Sequence, residues 1–323
     1  MKIKLLNMKN LLLVLAMLPV WASSYAMSEP VDSVASKEYS DRYDMLVSRL
    51  GVAGVGIETV LDNWAKVDPD NRKMLLARYS YYLTKGQTTV VVDKPGRKYL
   101  GNAPLFSLKD STGANVNYFE ETVYDDSLFA MALRNIDRVI DLYPHDLDLQ
   151  FVKAAALLSY EKDSPDMALV CLDGMADRYY SDRGADWKFE EDTVDDEFFE
   201  GAVQEYCYTF FNIASQPSYV AFKLLSEKML EYAPDSPVFL SNLGSYYFVV
   251  EKDTKKAMKY YRKVLKIDPE NYSAVKNIIL ICRQNGNVKE ELKHLPVLME
   301  VSPDESERFA AKARIDALSS KKR

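Results

Sequence analysis

The chain has 323 residues with 41 Lys and Arg against 48 Asp and Glu, a formal net charge of −7, 28% charged and 48% hydrophobic residues. That acidic balance argues against nucleic acid as a partner, because a phosphate backbone is held by clustered cations. The length is large for one core but suits an array whose units bury surface only against their neighbours.

Lys2, Lys4 and Lys9 precede the apolar run Leu11 to Val20, and small residues end at Ser24-Tyr25-Ala26. This is the pattern of a signal peptide over 1–26, cleaved after Ala26, with Met8 an alternative start. The run is short of the ~20 residues a spanning helix needs, and no transmembrane segment is expected after cleavage. No cysteine follows the cleavage site, so the expected location is periplasmic or secreted without a lipid anchor. Losing three Lys leaves 38 basic against 48 acidic residues.

Residues 27–37 are polar and aperiodic and read as a linker, with packing from Glu38. A first helix pair spans 38–69, with Ile57, Leu61 and Trp64 along its second helix, and the glycines of GVAGVG at 51–56 make its turn. The pair closes on VDPDN at 67–71, a phrase that returns as IDPEN at 267–271. Arg72 opens a second pair whose partner helix waits until DDSLFAMALRNIDRVIDLYP. Between them, 87–124 is β-prone: Thr88 to Val92 is β-branched, Lys94-Pro95-Gly96 is a turn, and Ser111 to Asn115 separates two further short runs. One or two β-hairpins are predicted there.

A third pair covers 147–180, with Ser164-Pro165 starting its second helix. The stretch 181–200 holds nine acids. It lacks the ligand series of a calcium loop, so 181–196 reads as a solvated acidic loop. A fourth pair follows and closes at Pro234. Pro234, Pro269 and Pro303 stand 35 and 34 residues apart.

The most regular pair runs from Pro237 to Pro269. Leu240, Leu243, Gly244 and Tyr247 share one face, and Ala257, Tyr261, Val264 and Leu265 another. Gly244 and Ala257 let the helices approach closely. In its series Leu240-x2-Leu243-Gly244-x2-Tyr247, Ala257-x3-Tyr261 and Pro269, the segment resembles a tetratricopeptide repeat, with Leu240 where Trp often stands. The resemblance implies an all-α solenoid of about six helix-turn-helix repeats over 38–303, interrupted by the β insertion. A C-terminal capping helix with a basic tail would follow over 304–323, its start marked by Ser302, Pro303 and Glu305.

The resemblance also implies a peptide-binding concave face made by the first helix of each pair. Carried over, it gives Val238, Ser241, Asn242, Ser245 and Phe248, then Ser273, Lys276, Asn277, Leu280 and Arg283. Asn242 and Asn277 fall at equivalent positions beside Lys276 and Arg283, an amide-and-cation set suited to an extended backbone and its terminal carboxylate. The earlier repeats depart from it with Leu76, Ala77, Phe151 and Val152.

His145 and His294 have no ligand-spaced neighbour, and Cys171, Cys207 and Cys282 form no CxxC, so neither metal nor cofactor is expected. The glycines of 51–56 lack the Lys-Ser/Thr of a phosphate loop, and no nucleophile elbow occurs. The expectation is a non-catalytic exported scaffold for a protein or peptide partner, or for another copy of itself. It would act through the groove or the insertion. The rivals are a glycan-binding envelope protein, suggested by 22 Tyr, and an enzyme whose site only folding assembles.

Overall fold

The computed structural model describes residues 33–190 and 192–320. The expected leader, most of the linker and the last three residues of the tail lie outside them. The chain is mostly helical with a small antiparallel sheet, thirteen α-helices occurring among the described residues. It divides into two compact units, one ending at Glu205 and the other beginning at Tyr206.

The first unit contains α1 (Ser33–Leu50), α2 (Ile57–Val67) and α3 (Arg72–Gly86), then strands β1 (Gln87–Lys94), β2 (Phe106–Lys109) and β3 (Asn115–Tyr124). Helices α4 (Asp126–Leu142), α5 (Leu147–Glu161) and α6 (Asp166–Ser181) follow, then the two-residue strands β4 (Lys188–Phe189) and β5 (Asp192–Thr193). Helix α7 (Asp196–Ile213) straddles the division in sequence. The second unit continues with α8 (Gln216–Tyr232), α9 (Pro237–Val249), α10 (Thr254–Ile267), α11 (Tyr272–Gln284), α12 (Val288–Val301) and α13 (Glu305–Ser320).

Helix α1 begins inside the stretch expected to be linker, and Ser36 explains why. The Trp64 indole N–H donates to Ser36 Oγ at 2.8 Å, and that hydroxyl donates to Asp68 at 2.7 Å. A buried indole needs such a partner, so the helix must reach back to supply it. The glycines of the α1–α2 turn are in the left-handed region at Gly51 and Gly56, φ 77° and 87°. That conformation is cheap only without a Cβ.

The twin closing phrases fold alike. Asn71 accepts from the backbone N–H of Met74 at 3.0 Å and donates to Asp68 at 2.8 Å, starting α3. Asn271 accepts from Ala274 N–H at 3.1 Å and donates to Asp268 at 3.0 Å, starting α11. In each phrase the Asp braces the Asn that caps the next helix.

Helices pack chiefly on their chain neighbours within each unit, and α9 also touches α11. In the second unit Ala257, Tyr261 and Val264 of α10 are 0% exposed and meet Leu240, Ala274 and Ile278. Gly244 is the closest approach: a Cβ there would lie 2.6 Å from the Tyr261 ring. Farther on, Val275, Ile279, Leu295 and Leu298 receive Ala311 and Leu318 of α13. Helix α13 therefore covers an apolar surface that α11 and α12 would otherwise expose. Its cap is Asp304, which accepts from Ser306 N–H at 2.8 Å, in place of the expected Ser302.

The β insertion is one three-stranded sheet of order β1-β3-β2 and not a pair of separate hairpins. Strand β3 pairs on one side with β1, Val92 opposite Phe119, and on the other with β2, Phe106 opposite Tyr118. The acidic stretch is also more structured than a solvated loop. Trp187 is 3% exposed, donates its indole N–H to the Asp182 carbonyl at 2.8 Å, and sits against Tyr179 and His145. Strands β4 and β5 then turn back at Glu190, φ 57°.

Candidate functional site

The residues expected to line the groove occupy α9 and α11, and the structure assigns them several different jobs. Asn242 is buried and donates to Ser226 of α8 at 3.2 Å. Its amide is directed toward the core. Ser245 faces the partner helix, its hydroxyl 3.0 Å from Tyr261 Oη. Phe248 packs at the margin of the core around Tyr261. Asn277 is half-buried within α11. Val238 and Leu280 present 39% and 41% of their surface to solvent.

The two cations are engaged within the unit. Lys276 donates to Tyr272 Oη at 2.8 Å and lies 3.0 Å from the Glu307 carboxylate of α13. Arg283 donates to Glu291 at 2.7 Å, and Arg314 of α13 donates to the same carboxylate at 2.9 and 3.1 Å. Glu291 is 1% exposed. Burial alone would raise its pKa, but the hydrogen bonds from Arg314 and Arg283 overturn that and hold it below the usual carboxylate range. Lys276 and Arg283, seven residues apart and on one face of α11, thus bind α12 and α13. Of the amide-and-cation set drawn from the sequence, Asn242, Lys276 and Arg283 are each engaged by side chains of their own unit.

The sheet offers a different surface. Because opposite residues of antiparallel strands share a face, Val90, Val92, Phe119 and Glu121 lie together, and Val91, Phe106, Leu108, Val116 and Tyr118 lie on the other side. The first set is covered. Phe119 is 2% exposed and meets the edge of Tyr99. Glu121 accepts from Tyr99 Oη at 2.7 Å and from Lys162 at the end of α5. Burial would push Glu121 up, yet Lys162 and Tyr99 bring it below its ordinary pKa. The insertion is thereby fastened to the helices.

The opposite face is open. Val91, Phe106 and Leu108 are 56%, 47% and 54% exposed, and Phe106 stacks on Tyr118 at 4.8 Å. Strand β1, eight residues long, forms one edge of the sheet. It has no proline or bulge, two of the devices that blunt an edge, and its charges, Asp93 and Lys94, stand at its end. The β2 edge is only four residues long and ends at a tight turn where Asp110 accepts from Thr112 and Ala114 N–H. The sequence located the β-prone run, but the division into a fastened and an open face required the β1–β3 register.

Elsewhere Asp148 forms a half-buried charged cluster with Arg72 and Asp146. Burial pushes its pKa up to about 6, with Arg72 opposing. Cys207 and Cys282 are buried, and no cysteine is in a disulfide among the described residues. No described group of three or more His, Cys, Asp or Glu could hold a metal ion, and no described helix is long and apolar enough to cross a membrane. No family model and no curated protein matches the chain.

Proposed function

We propose that this chain is an exported, non-catalytic scaffold of the tetratricopeptide type that binds a polypeptide partner through its β insertion. One observation carries this reading: the sheet has one face fastened to the helices and the other open. The open face displays Val91 on the long edge strand β1, Tyr118 on the central β3, and Phe106 and Leu108 on the far strand β2. An extended segment added along β1 would gain main-chain hydrogen bonds and set alternate side chains beside Val91, at the margin of the apolar face. The groove helices support this choice by default, since Lys276 and Arg283 already hold carboxylates of α12 and α13.

The repeat assignment draws support from Gly244 beneath Tyr261 and from the identical capping at Asp68-Asn71 and Asp268-Asn271. The test is affinity capture from envelope extract with the purified chain and with a Val91→Lys, Phe106→Lys variant. A polypeptide retained by the parent and lost by the variant, with thermal unfolding unchanged, is the expected outcome. Equal retention by both would remove the sheet from the binding site, and retention on glycan columns alone would replace the reading.

A further inference from the structure

Helix α10 has six basic residues and no acidic one, TKKAMKYYRKVLKI, in a chain of net charge −7. At about 100° per residue, Lys255, Lys256, Lys259, Arg262, Lys263 and Lys266 fall within an arc of about 120°. All six are exposed, while Ala257, Tyr261 and Val264 on the other side are fully buried. Arg262 has Glu290 at 3.3 Å and Lys256 has Asp253 at 3.9 Å. Lys255, Lys259, Lys263 and Lys266 have no carboxylate partner among the described residues.

The fold does not call for this arrangement. Lys255 and Lys259, Lys259 and Lys263, and Arg262 and Lys266 are like charges four apart, and each pair works against the helix. Mixed charges would solvate the outer face equally well and add attraction. The uniform sign is therefore directed at something outside the chain. Along its flank, Tyr247 and Tyr260 stack at 5.5 Å, with Lys256 and Lys263 over their rings at 4.9 and 5.7 Å. A cavity of ≈ 250 Å³ between α10 and α11 is lined by Lys255, Arg262, Asn285 and Asn287 together with the apolar Met258, Ile281 and Cys282. That donor set suits phosphate oxygens.

We propose that the outer face of α10 docks on an anionic phospholipid surface. A planar lipid surface fits better than an acidic peptide for two reasons. The arc is the outer side of a single helix, and the cavity at its margin reaches only Lys255 and Arg262 of the six cations, too few to set a peptide's register. Five of its six cations are Lys, whose compact charge attracts phosphate without the fixed geometry of Arg. The proposal is independent of the sheet.

The test is co-sedimentation of the purified chain with vesicles of phosphatidylglycerol and phosphatidylcholine in equal parts, against phosphatidylcholine alone. Binding is expected on the mixed vesicles only, and should vanish at ~0.5 M salt, where screening shortens to a few Å. Lys259→Glu with Lys263→Glu should weaken it by at least ~25-fold, each basic residue at an anionic surface contributing about fivefold. The melting temperature should stay as in the parent. If the charge-reversed chain does not fold, Lys259→Gln with Lys263→Gln serves, with a smaller loss expected. Equal binding to neutral vesicles, or full binding by the folded variant, overturns the proposal. So does binding to polyglutamate with none to vesicles, or competition by inorganic phosphate beyond that of chloride at equal ionic strength.

Discussion

Gly244 shows how one missing side chain can position two helices. The buried Tyr261 ring has nowhere to retreat, so Gly244→Ala should cost ~1–3 kcal/mol by overpacking. Chemical denaturation measures it, and an unchanged midpoint would mean that the ring yields. Asp148 tests burial against charge. Its folded pKa of about 6 lies above the 3.8 of an ordinary aspartate, so the folded chain binds more protons than the unfolded one between those values. Its stabilising contribution is complete below about pH 4 and is lost as the pH rises through 6. Asp148→Asn should then raise stability at pH 7 by ~1–3 kcal/mol and by little at pH 4. A variant gain that does not change between those pH values would show that the carboxyl is not desolvated. Glu291 behaves oppositely, because two arginines hold its charge. Arg314→Ala leaves that 1% exposed carboxylate with Arg283 alone, at a cost of ~1–3 kcal/mol. Melting curves read it directly.

Among the elements, α9 and α10 were the most legible, because small residues, aromatic spacing and the closing proline all point to the same close-packed pair. The strands were legible as β-prone runs, but their order was not. Adjacent runs suggested local hairpins, whereas β1 passes over β2 in sequence to pair with β3, and nothing in single-strand composition encodes a partner. The stretch 181–196 reads as a solvated loop because its acids far outnumber its two bases, Arg183 and Lys188, yet Trp187 anchors it. One large apolar side chain outweighs many exposed charges when it finds a cavity. Trp187→Ala should cost ~3–5 kcal/mol and release the β4–β5 hairpin to proteolysis. A loop cut no faster in the variant would show that the hairpin holds without the indole. The groove was the least legible element. Position along α9 and α11 gave the facing residues, but not that α13 would bring Glu307 and Arg314 to the same place, since that depends on packing between helices distant in sequence.

At the scale of the whole molecule, charge and surface are distributed unevenly. An acidic chain keeps six cations on one helix of its second unit and an apolar sheet face on its first. Export, if it removes residues 1–26, takes away three Lys and sharpens that contrast. Mass spectrometry of the chain recovered outside the cytoplasm should find Met27 at its N-terminus, and an intact Met1 or Met8 would refute the cleavage. The two surfaces share no residue, so each should fail without the other. Val91→Lys with Phe106→Lys should abolish capture of the polypeptide while vesicle binding persists. Lys259→Glu with Lys263→Glu should do the reverse. Side-by-side capture and co-sedimentation with both folded variants decides the matter. If either pair of substitutions removes both activities, a single composite surface replaces the two argued here, because independent contacts contribute additively and cannot silence one another.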